Sequence, residues 1–319
     1  MTPSQLRTFA TIVRLGSSKA AAADLGVSEA AVSNSVAALR KELGDPLFER
    51  AATGIAFTPG GLRLAARAAE MLGLQEQTVL EVRAAAGGRR IIRVAVSPMF
   101  GELAAPGLVE LFAQRALDLD VELSVRSATS FPDMLQARTA ELAFGPLLPT
   151  GPEVETTGLL RYQLILVVAA THPLAGRRVD RAELARITWL LGPSAAHEYS
   201  SAHALVRRVG VPEDRQLVFQ SHAAALEEVR VGAGLTLIPA HHVSADIARG
   251  RLAQLSVSGA TVDGLWAAYA LPRSQLAQPA QELLRFASTP RAIQAMLKGS
   301  GANIGRFQPR VHVTLWSGG

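Results

Sequence analysis

The sequence predicts a multidomain protein: a small all-α helix-turn-helix head, then one long helix, then a larger α/β region. Its 319 residues exceed the size of one ordinary domain. Apolar residues recur at helical spacing before Ile91, whereas short apolar runs alternate with helical segments after it. Apolar residues make up 49% of the chain and charged residues only 18%, which favours folded cores over disorder.

The amino-acid composition excludes several kinds of function. Cysteine is absent, which excludes thiol redox sensing, cysteine-bound zinc and disulfide bonds. The net charge is +5, and only three of the 32 basic residues are lysines. Arginine suits bidentate phosphate contacts, although a GC-rich genome would produce the same bias. The N-terminus shows no signal-peptide pattern and no apolar stretch is long enough to span a bilayer, so we expect a cytoplasmic protein without membrane contact.

Three helices are predicted at the start of the chain. Gly16 and Gly26 end the first two, because glycine readily adopts the left-handed conformation at helix ends. Ser28 can cap the third, whose predicted buried face carries Val32, Val36, Leu39 and Leu43. The second and third helices would form a helix-turn-helix unit, but any three-helix bundle could show the same spacing.

Specific segments favour one family. The chain reads G-S-S-K-A-A-A-A-D-L-G-V-S-E-A-A-V-S from Gly16, L-G-D-P-L-F-E-R from Leu43 and F-T-P-G-G from Phe57. At this spacing residues 4–64 closely resemble the head of LysR-type transcriptional regulators. The resemblance implies a winged helix-turn-helix domain over residues 1–60 that binds double-stranded DNA. The implied DNA-binding residues are Ser28, Glu29, Ala30, Ser33, Asn34 and Arg50.

Some head positions depart from the family pattern. Glu29 and Ala30 stand where the family usually carries Gln-Pro or Gln-Ser, and Asn34 replaces a usual basic residue. Fewer phosphate contacts would weaken DNA binding and flatten its salt dependence. Glu29 would repel phosphate, although its carboxylate could accept a hydrogen bond from cytosine N4.

Residues 61–88 are predicted to form a long amphipathic linker helix that ends in a glycine hinge. The helix could pack on its own domain or form a coiled-coil-like seam between subunits. The family resemblance favours the seam, in a homodimer or homotetramer. The predicted dimerisation residues are Leu62, Ala65, Ala69, Leu72 and Val79.

The alternation after Ile91 predicts parallel sheets, two of roughly four or five strands each. Segments such as S-P-M-F-G from Ser97 and G-A-G-L-T-L-I-P from Gly232 resemble the sensor domain of the same family. They imply a two-lobed periplasmic-binding-protein-like sensor that holds a small-molecule effector in its cleft. The implied ranges are 89–298 for this domain, about 89–161 and 266–298 for lobe one, about 162–265 for lobe two, and 299–319 for a C-terminal extension.

Serine and threonine residues begin helices directly after strands in four places. Backbone N–H groups at helix starts favour anions, so we expect a small organic anion as the effector, with simple capping as the alternative. Arg126 or Arg161 could supply a counter-charge. The candidate effector-binding residues are Ser97, Met99, Thr129, Ser130, Pro146, Ser194 and His222.

No metal, cofactor or catalytic site is predicted. His241 and His242 are adjacent, so on a helix they point in different directions, and a third ligand is not evident. Serine, histidine and aspartate occur without a G-x-S-x-G elbow, and the glycine pairs lack a nucleotide-binding pattern. We therefore predict a non-enzyme.

Residues and resemblance together predict a transcription factor in which an effector changes lobe closure and reorients the heads on DNA. Two other functions stay open. One is a DNA-binding dimer with a degenerate pocket, and the other is a solute-binding module or enzyme without a regulatory role. In the C-terminal extension, residues 310–316 alternate as an edge strand would, and a frayed tail is the alternative.

Overall fold

A computed structural model of the chain describes residues 1–51, 54–87, 89–197, 200–257, 262–298 and 313–314. The chain divides into two compact units. The first comprises residues 1–88 with 133–139, and the second comprises 89–132 with the residues from 140 onwards. Among the described residues, no helix has the length and apolarity that a membrane crossing requires.

The first unit begins with the predicted helix-turn-helix. Its helices are α1 (Pro3–Leu15), α2 (Ser18–Leu25) and α3 (Glu29–Leu43). Each follows a serine or threonine whose side-chain oxygen accepts a backbone N–H of the first turn. Each ends at a glycine with φ between 63° and 67°, the left-handed conformation that closes a helix without a Cβ clash.

The three helices share one apolar core. Val32, Val36 and Leu39 of α3 lie in this core with Phe9 and Ile12 of α1. The prediction for Leu43 was wrong, since 42% of this residue is exposed. Leu43 is the last residue of α3 and adjoins the exposed turn at Gly44, so the helix has already left the core there.

A β-hairpin follows α3 and forms the predicted wing. Strands β1 (Phe48–Ala51) and β2 (Gly54–Phe57) pair antiparallel, with Phe48 opposite Phe57. Both rings pack against Phe9 and against each other, with centroid distances of 5.9 to 6.4 Å. Arg40 of α3 lies over the Phe48 ring and donates to the Phe48 carbonyl at 2.7 Å. The wing is therefore fixed to the head core by aromatic packing.

The L-G-D-P-L-F and T-P-G-G segments join the wing to helix α4 (Pro59–Ala85). Asp45 accepts hydrogen bonds from the Thr58 hydroxyl at 2.7 Å and the Leu47 N–H at 2.6 Å, and these bonds lower the pKa of Asp45. Thr58 in turn accepts the N–H of Gly61. A Cβ on Gly61 would lie 1.9 Å from the Leu47 carbonyl oxygen, so only glycine allows this close approach.

Helix α4 has 27 residues and contains all five residues of the predicted seam. Ala65 packs against the head core, as the alternative interpretation expected, while Leu62 and Val79 are exposed. Ala69 and Leu72 are half-buried. Met71, Leu74 and Val82 are also exposed and recur at helical spacing on a different face. We call these three residues the apolar stripe.

The second unit is an α/β domain whose elements alternate along the chain. Four short 3₁₀ turns, at Ala128–Ser130, Pro193–Ala196, Glu213–Arg215 and Arg273–Gln275, interrupt them. The helices and strands that follow α4 along the chain are β3 (Arg90–Val96), α5 (Pro98–Leu103), α6 (Ala105–Ala113), β4 (Leu119–Val125), α7 (Phe131–Gln136), β5 (Leu142–Pro146), β6 (Glu155–Ala169), α8 (Arg181–Arg186), β7 (Trp189–Leu191), α9 (Ser201–Val209), β8 (Gln216–Val218), α10 (His222–Arg230), β9 (Thr236–Pro239), α11 (Ala240–Ala248), β10 (Leu252–Gln254), β11 (Val262–Ala270), α12 (Gln278–Ala287), α13 (Pro290–Lys298) and β12 (Val313–Thr314). Most of α7, residues 133–136, belongs to the first unit.

The sheets differ from the predicted pair of parallel sheets. One mixed eight-stranded sheet has the order β10-β6-β11-β5-β3-β4-β12, with β9 also on β6, and β7 and β8 form a separate parallel pair. Strands β3, β4 and β5 are parallel, whereas β11 runs antiparallel to both β5 and β6. The reason is that β6 leaves the first lobe and β11 returns to it, so the two strands run in opposite directions and pair along their length.

The C-terminal extension contributes one short strand. Val313 and Thr314 pair parallel with Leu123 and Ser124 at the edge of the sheet. They lie inside the segment for which we predicted an edge strand. The neighbouring residues 310–312 and 315–316 lie outside the described residues.

The close approach at Gly61 can be tested by adding one methyl group. Gly61→Ala is expected to destabilise the head by about 1–3 kcal/mol, because the Leu47 carbonyl cannot move without distorting the wing. Gly151→Ala is the control, since a Cβ there meets no atom within 4 Å. Hydrogen exchange of the α1 and α3 amides in the full chain measures the change. Equal exchange in both variants would contradict the packing of α4 on Leu47.

Candidate functional site

The predicted DNA-binding face is the exposed side of α3. Ser28, Glu29, Ala30, Ser33 and Asn34 are all exposed. The Ser28 side chain already caps α3 by accepting the Ala31 N–H at 3.2 Å, and Glu29 lies in the first turn, where a negative charge stabilises the helix dipole. Arg50 belongs to β1, but its side chain lies outside the described residues.

The basic side chains of the head divide into two groups. Arg14 pairs with Asp24 at 2.6 Å, and Arg40 holds the wing, so both have structural partners. Arg7, Lys19 and Lys41 are exposed. Exposed cations on this unit suit sequence-independent contacts with phosphate.

The second unit contains a cavity at the point where β6 and β11 cross between the lobes. It is an open cleft of about 570 Å³, a volume that includes part of the solvent at its mouth. Its wall comprises Ser97, Pro98, Met99, Ser127, Ala128, Thr129, Pro146, Leu148, Tyr162, Leu164, Ser194, His197, Ser200, Ser201, Ala202 and Trp266. None of these residues is a lysine, arginine, aspartate or glutamate, so hydroxyl groups provide most of the polarity.

Two aromatic residues of the crossing strands form the cavity floor. The rings of Tyr162 and Trp266 lie 4.8 Å apart at their centroids. Phe100 supports Trp266 edge-on from behind, and Gly264 leaves room for Tyr162, because a Cβ would lie 2.3 Å from its Cζ. Burial raises the pKa of Tyr162 to about 12, so its phenol remains a neutral hydrogen-bond donor at physiological pH.

Ser97 is the most informative hydroxyl in the wall. It precedes α5, yet its side chain does not cap that helix. The Ser97 residue is 5% exposed, and its Oγ is buried without a hydrogen-bond partner among the described residues. Buried hydroxyl groups normally have partners, so this unpaired hydroxyl distinguishes Ser97 from the other residues of the wall.

The start of α9 is a part of the wall that sequence reasoning missed. Ser200, Ser201 and Ala202 line the cavity, and the Ser200 Oγ accepts the N–H of His203 at 3.0 Å. The first N–H groups of a helix have no partner within the helix. The signal was present in the sequence, since Ser200–Ser201 precede an amphipathic helix as the other capping serines do.

Behind the wall, three side chains form a chain of hydrogen bonds that we call the relay. The Ser194 Oγ lies 2.5 Å from Nε2 of His222, and Nδ1 of His222 lies 2.8 Å from Oε2 of Glu102. Glu102 also accepts the backbone N–H groups of His222 and Ala223 at 2.7 and 2.6 Å. Burial alone would raise the pKa of Glu102, but the bonds from His222 and Ala223 outweigh it and lower the pKa.

Five of the seven predicted effector-binding residues surround the cavity: Ser97, Met99, Thr129, Pro146 and Ser194. Ser130 and His222 lie outside its wall. The Ser130 hydroxyl donates to the carbonyl of Ser127 at 2.8 Å, and His222 lies behind Ser194 in the relay. The start of α10, expected to receive an anion, already holds the Glu102 carboxylate.

Neither arginine proposed as a counter-charge belongs to the wall. The Arg126 guanidinium donates to the carbonyl of Val125 at 2.8 Å, and Arg161 is exposed. The relay has the connectivity of a hydrolase triad, which the sequence did not predict because Glu102 lies 120 residues from His222. No group of three potential metal ligands occurs in the part of the chain that the structure describes.

Two parts of the chain match known domain families. Residues 3–62 match the bacterial regulatory helix-turn-helix protein of the lysR family, and residues 85–289 match the LysR substrate binding domain. The chain belongs to the LysR family. The head and the cavity-bearing unit are therefore the two functional halves of a LysR-type transcriptional regulator, as the resemblance implied.

Relatives of this LysR family member extend over its whole length. The uncharacterized HTH-type transcriptional regulator Rv0377 of Mycobacterium tuberculosis is 49% identical, over 99% of this chain and 100% of its own. The HTH-type transcriptional regulator CbbR of Xanthobacter flavus is 28% identical, over 88% and 86%. The crystal structure of full-length CbnR complexed with the target DNA shares the fold, with a TM-score of 0.57 and 24% identity over 90% of this chain and 99% of that one.

The Glu102 carboxylate should stabilise the second unit in a pH-dependent way. Glu102→Gln is expected to lower the free energy of unfolding by about 1–3 kcal/mol at neutral pH, because charged hydrogen bonds to His222 and Ala223 are weakened. The pKa of Glu102 is lowered in the folded state. Its contribution is therefore present above the unfolded-state pKa of about 4.3 and is lost as the pH falls through the folded value.

Urea unfolding of both proteins at several pH values measures this difference. The difference in free energy of unfolding between wild type and Glu102→Gln should disappear as the pH falls. Glu153→Gln, at an exposed position of the same unit, is the control and should leave stability unchanged. A gap that stays constant down to acidic pH would show that the Glu102 charge does not support the fold.

Proposed function

We propose that this LysR-type regulator binds double-stranded DNA through the exposed face of α3 and responds to a small organic anion in the cavity of its second unit. The observation that carries the effector half is the buried Ser97 hydroxyl without a partner, in a cavity lined by further hydroxyls. A ligand with acceptor oxygens would complete the hydrogen bonds of the wall.

The anion is expected to be small and to carry few charges. The described part of the wall contains no lysine or arginine. The charge of the anion would therefore rest on the hydroxyls of Ser97, Thr129 and Ser194 and on N–H groups at the start of α9. Such partners offset the desolvation of one carboxylate but not of several. The Tyr162–Trp266 floor favours a planar, apolar remainder that stacks on the rings.

The DNA half rests on the head. Its recognition helix α3 exposes five predicted contact residues, and Arg7, Lys19 and Lys41 are available for phosphate. CbnR, whose structure was solved with its target DNA, shares the fold. The apolar stripe on α4 supports assembly into a homodimer or homotetramer, because exposed apolar residues in a row favour a partner surface. Such a regulator would act in the cytoplasm, where the DNA lies.

We propose binding without catalysis. Glu102 accepts two backbone N–H groups of α10 besides the His222 ring, so the relay ties α5 of one lobe to α10 of the other. A DNA-binding dimer that ignores ligands is the competing function. It predicts that no small molecule changes the stability of the second unit.

The effector proposal is tested with benzoate, a planar monocarboxylate. The full-length protein should show a benzoate-induced rise in melting temperature. Ser97→Ala should weaken benzoate binding roughly tenfold or more, since a hydrogen bond to a charged group is lost. Ser288→Ala, an exposed serine, is the control. A larger panel of small carboxylates that leaves the melting temperature unchanged would favour the ligand-independent dimer.

The DNA proposal is tested on fragments from the region upstream of the protein's own coding sequence. Ser33→Ala and Asn34→Ala should each weaken specific binding by about 1–3 kcal/mol, as expected for lost base contacts, with little change in nonspecific binding. Ser35→Ala, half-buried on the same helix, is the control. Salt-independent or undetectable binding by the wild-type protein would contradict the assignment of the head.

A further inference from the structure

Ser194 is the member of the relay that also belongs to the cavity wall. Ser194 and His222 are both buried, at 9% and 4% exposure. We propose that the relay links effector binding to proton uptake, because Ser194 can donate to a carboxylate only after His222 has gained a proton. The proposal rests on the proposed function, namely that a small anion occupies this cavity.

The neutral relay has only one consistent hydrogen arrangement. Glu102 is ionised at neutral pH, because the bonds from His222 and Ala223 lower its pKa against the effect of burial. A carboxylate only accepts, so the single proton of neutral His222 must lie on Nδ1. Nε2 is then a bare acceptor, and the Ser194 hydroxyl donates its hydrogen to it. Ser194 therefore presents only lone pairs to the cavity, which repel a carboxylate.

One added proton reverses this polarity. When a proton from solvent binds at Nε2, the imidazolium donates from both ring nitrogens, to Glu102 and to the Ser194 oxygen. The Ser194 hydrogen is released and can turn toward the effector. The bound carboxylate thus enters together with one proton, and the imidazolium charge is balanced by Glu102. No bond to carbon forms or breaks.

The surroundings hold the ring in this position. A Cβ on Gly192 would lie 2.3 Å from Cδ2 of His222, so the ring fits closely against this backbone. Glu102 of α5 and His242 of α11 interact with His222, and Arg230 and Asp246 act in turn on His242. Burial lowers the pKa of His242, so His242 is neutral above about pH 6.5, its ordinary value.

The relay also gives a rule for ligand choice. A neutral ligand that offers an N–H at the same place can donate to Ser194 in its unprotonated arrangement. Such a ligand binds without a proton. A carboxylate and its primary amide, which have the same shape, should therefore differ in their pH dependence at this site.

Benzoate and benzamide test the rule on the full-length protein. Calorimetric titration in two buffers of different ionisation enthalpy counts the protons taken up on binding. Benzoate should bind with uptake of up to one proton, and its affinity should rise as the pH falls, by at most tenfold per pH unit. Benzamide should take up none. His242→Gln, the matched control, should keep the uptake with benzoate.

Ser194→Ala separates the relay from other sources of pH dependence. Without the hydroxyl, benzoate binding should weaken and lose its proton uptake, so its pH profile becomes flat. Equal uptake in wild type and Ser194→Ala would overturn the relay proposal while leaving the effector site intact. Absence of benzoate binding to the wild type would instead count against the proposed ligand class.

If benzoate does not bind, the hydrogen arrangement of the relay can still be measured in the ligand-free protein. Nitrogen-15 NMR distinguishes the two neutral tautomers of a histidine ring, and the His222 signals are those missing from His222→Gln. The proposal expects Nδ1 protonated and Nε2 bare in the ligand-free protein. A proton on Nε2 of the neutral ring would overturn it.

Discussion

The pairing of β6 with β11 is the constraint on which the second unit depends. These strands leave and re-enter the first lobe in opposite directions, so they hydrogen-bond along their length and join both lobes in one sheet. Tyr162 and Trp266, which form the cavity floor, lie on them at the crossing. The walls of the cavity are formed by the turns and helix starts that lie around the crossing of β6 and β11. The cavity therefore results from strand direction and not from any single motif.

Electrostatics explain why the helix starts of this unit are not equivalent. Four starts had the same serine or threonine signal, and each offered unpaired N–H groups to an anion. The start of α10 receives its anion from the chain itself, as the Glu102 carboxylate of α5. The start of α9 lies open in the cavity wall. One helix start therefore already binds a protein carboxylate, whereas hydroxyl groups occupy the others.

In the head, many of the residues that resemble LysR-type regulators hold the fold together. Asp45, Thr58 and Gly61 form a hydrogen-bonded junction between wing and linker helix, and Arg40 with Phe48 attaches the wing to α3. These residues act through contacts between elements close in sequence, so their motif could be recognised from spacing. The exposed Ser33 and Asn34 of α3 are different, because they lie outside the apolar core of the head.

The sequence by itself determined the helix-turn-helix, its capping residues, the long linker helix and the α/β class, because these follow from local periodicity and from glycine and serine at helix ends. Five of its candidate effector-binding residues also lie in the cavity wall, because the segments that follow neighbouring strands meet at one sheet edge. Only the tertiary structure decided the mixed sheet, the exposure of Leu43 and the packing of Ala65 on the head. It alone joined Glu102 to His222, because that bond spans 120 residues and depends on how two lobes meet, which local patterns do not encode.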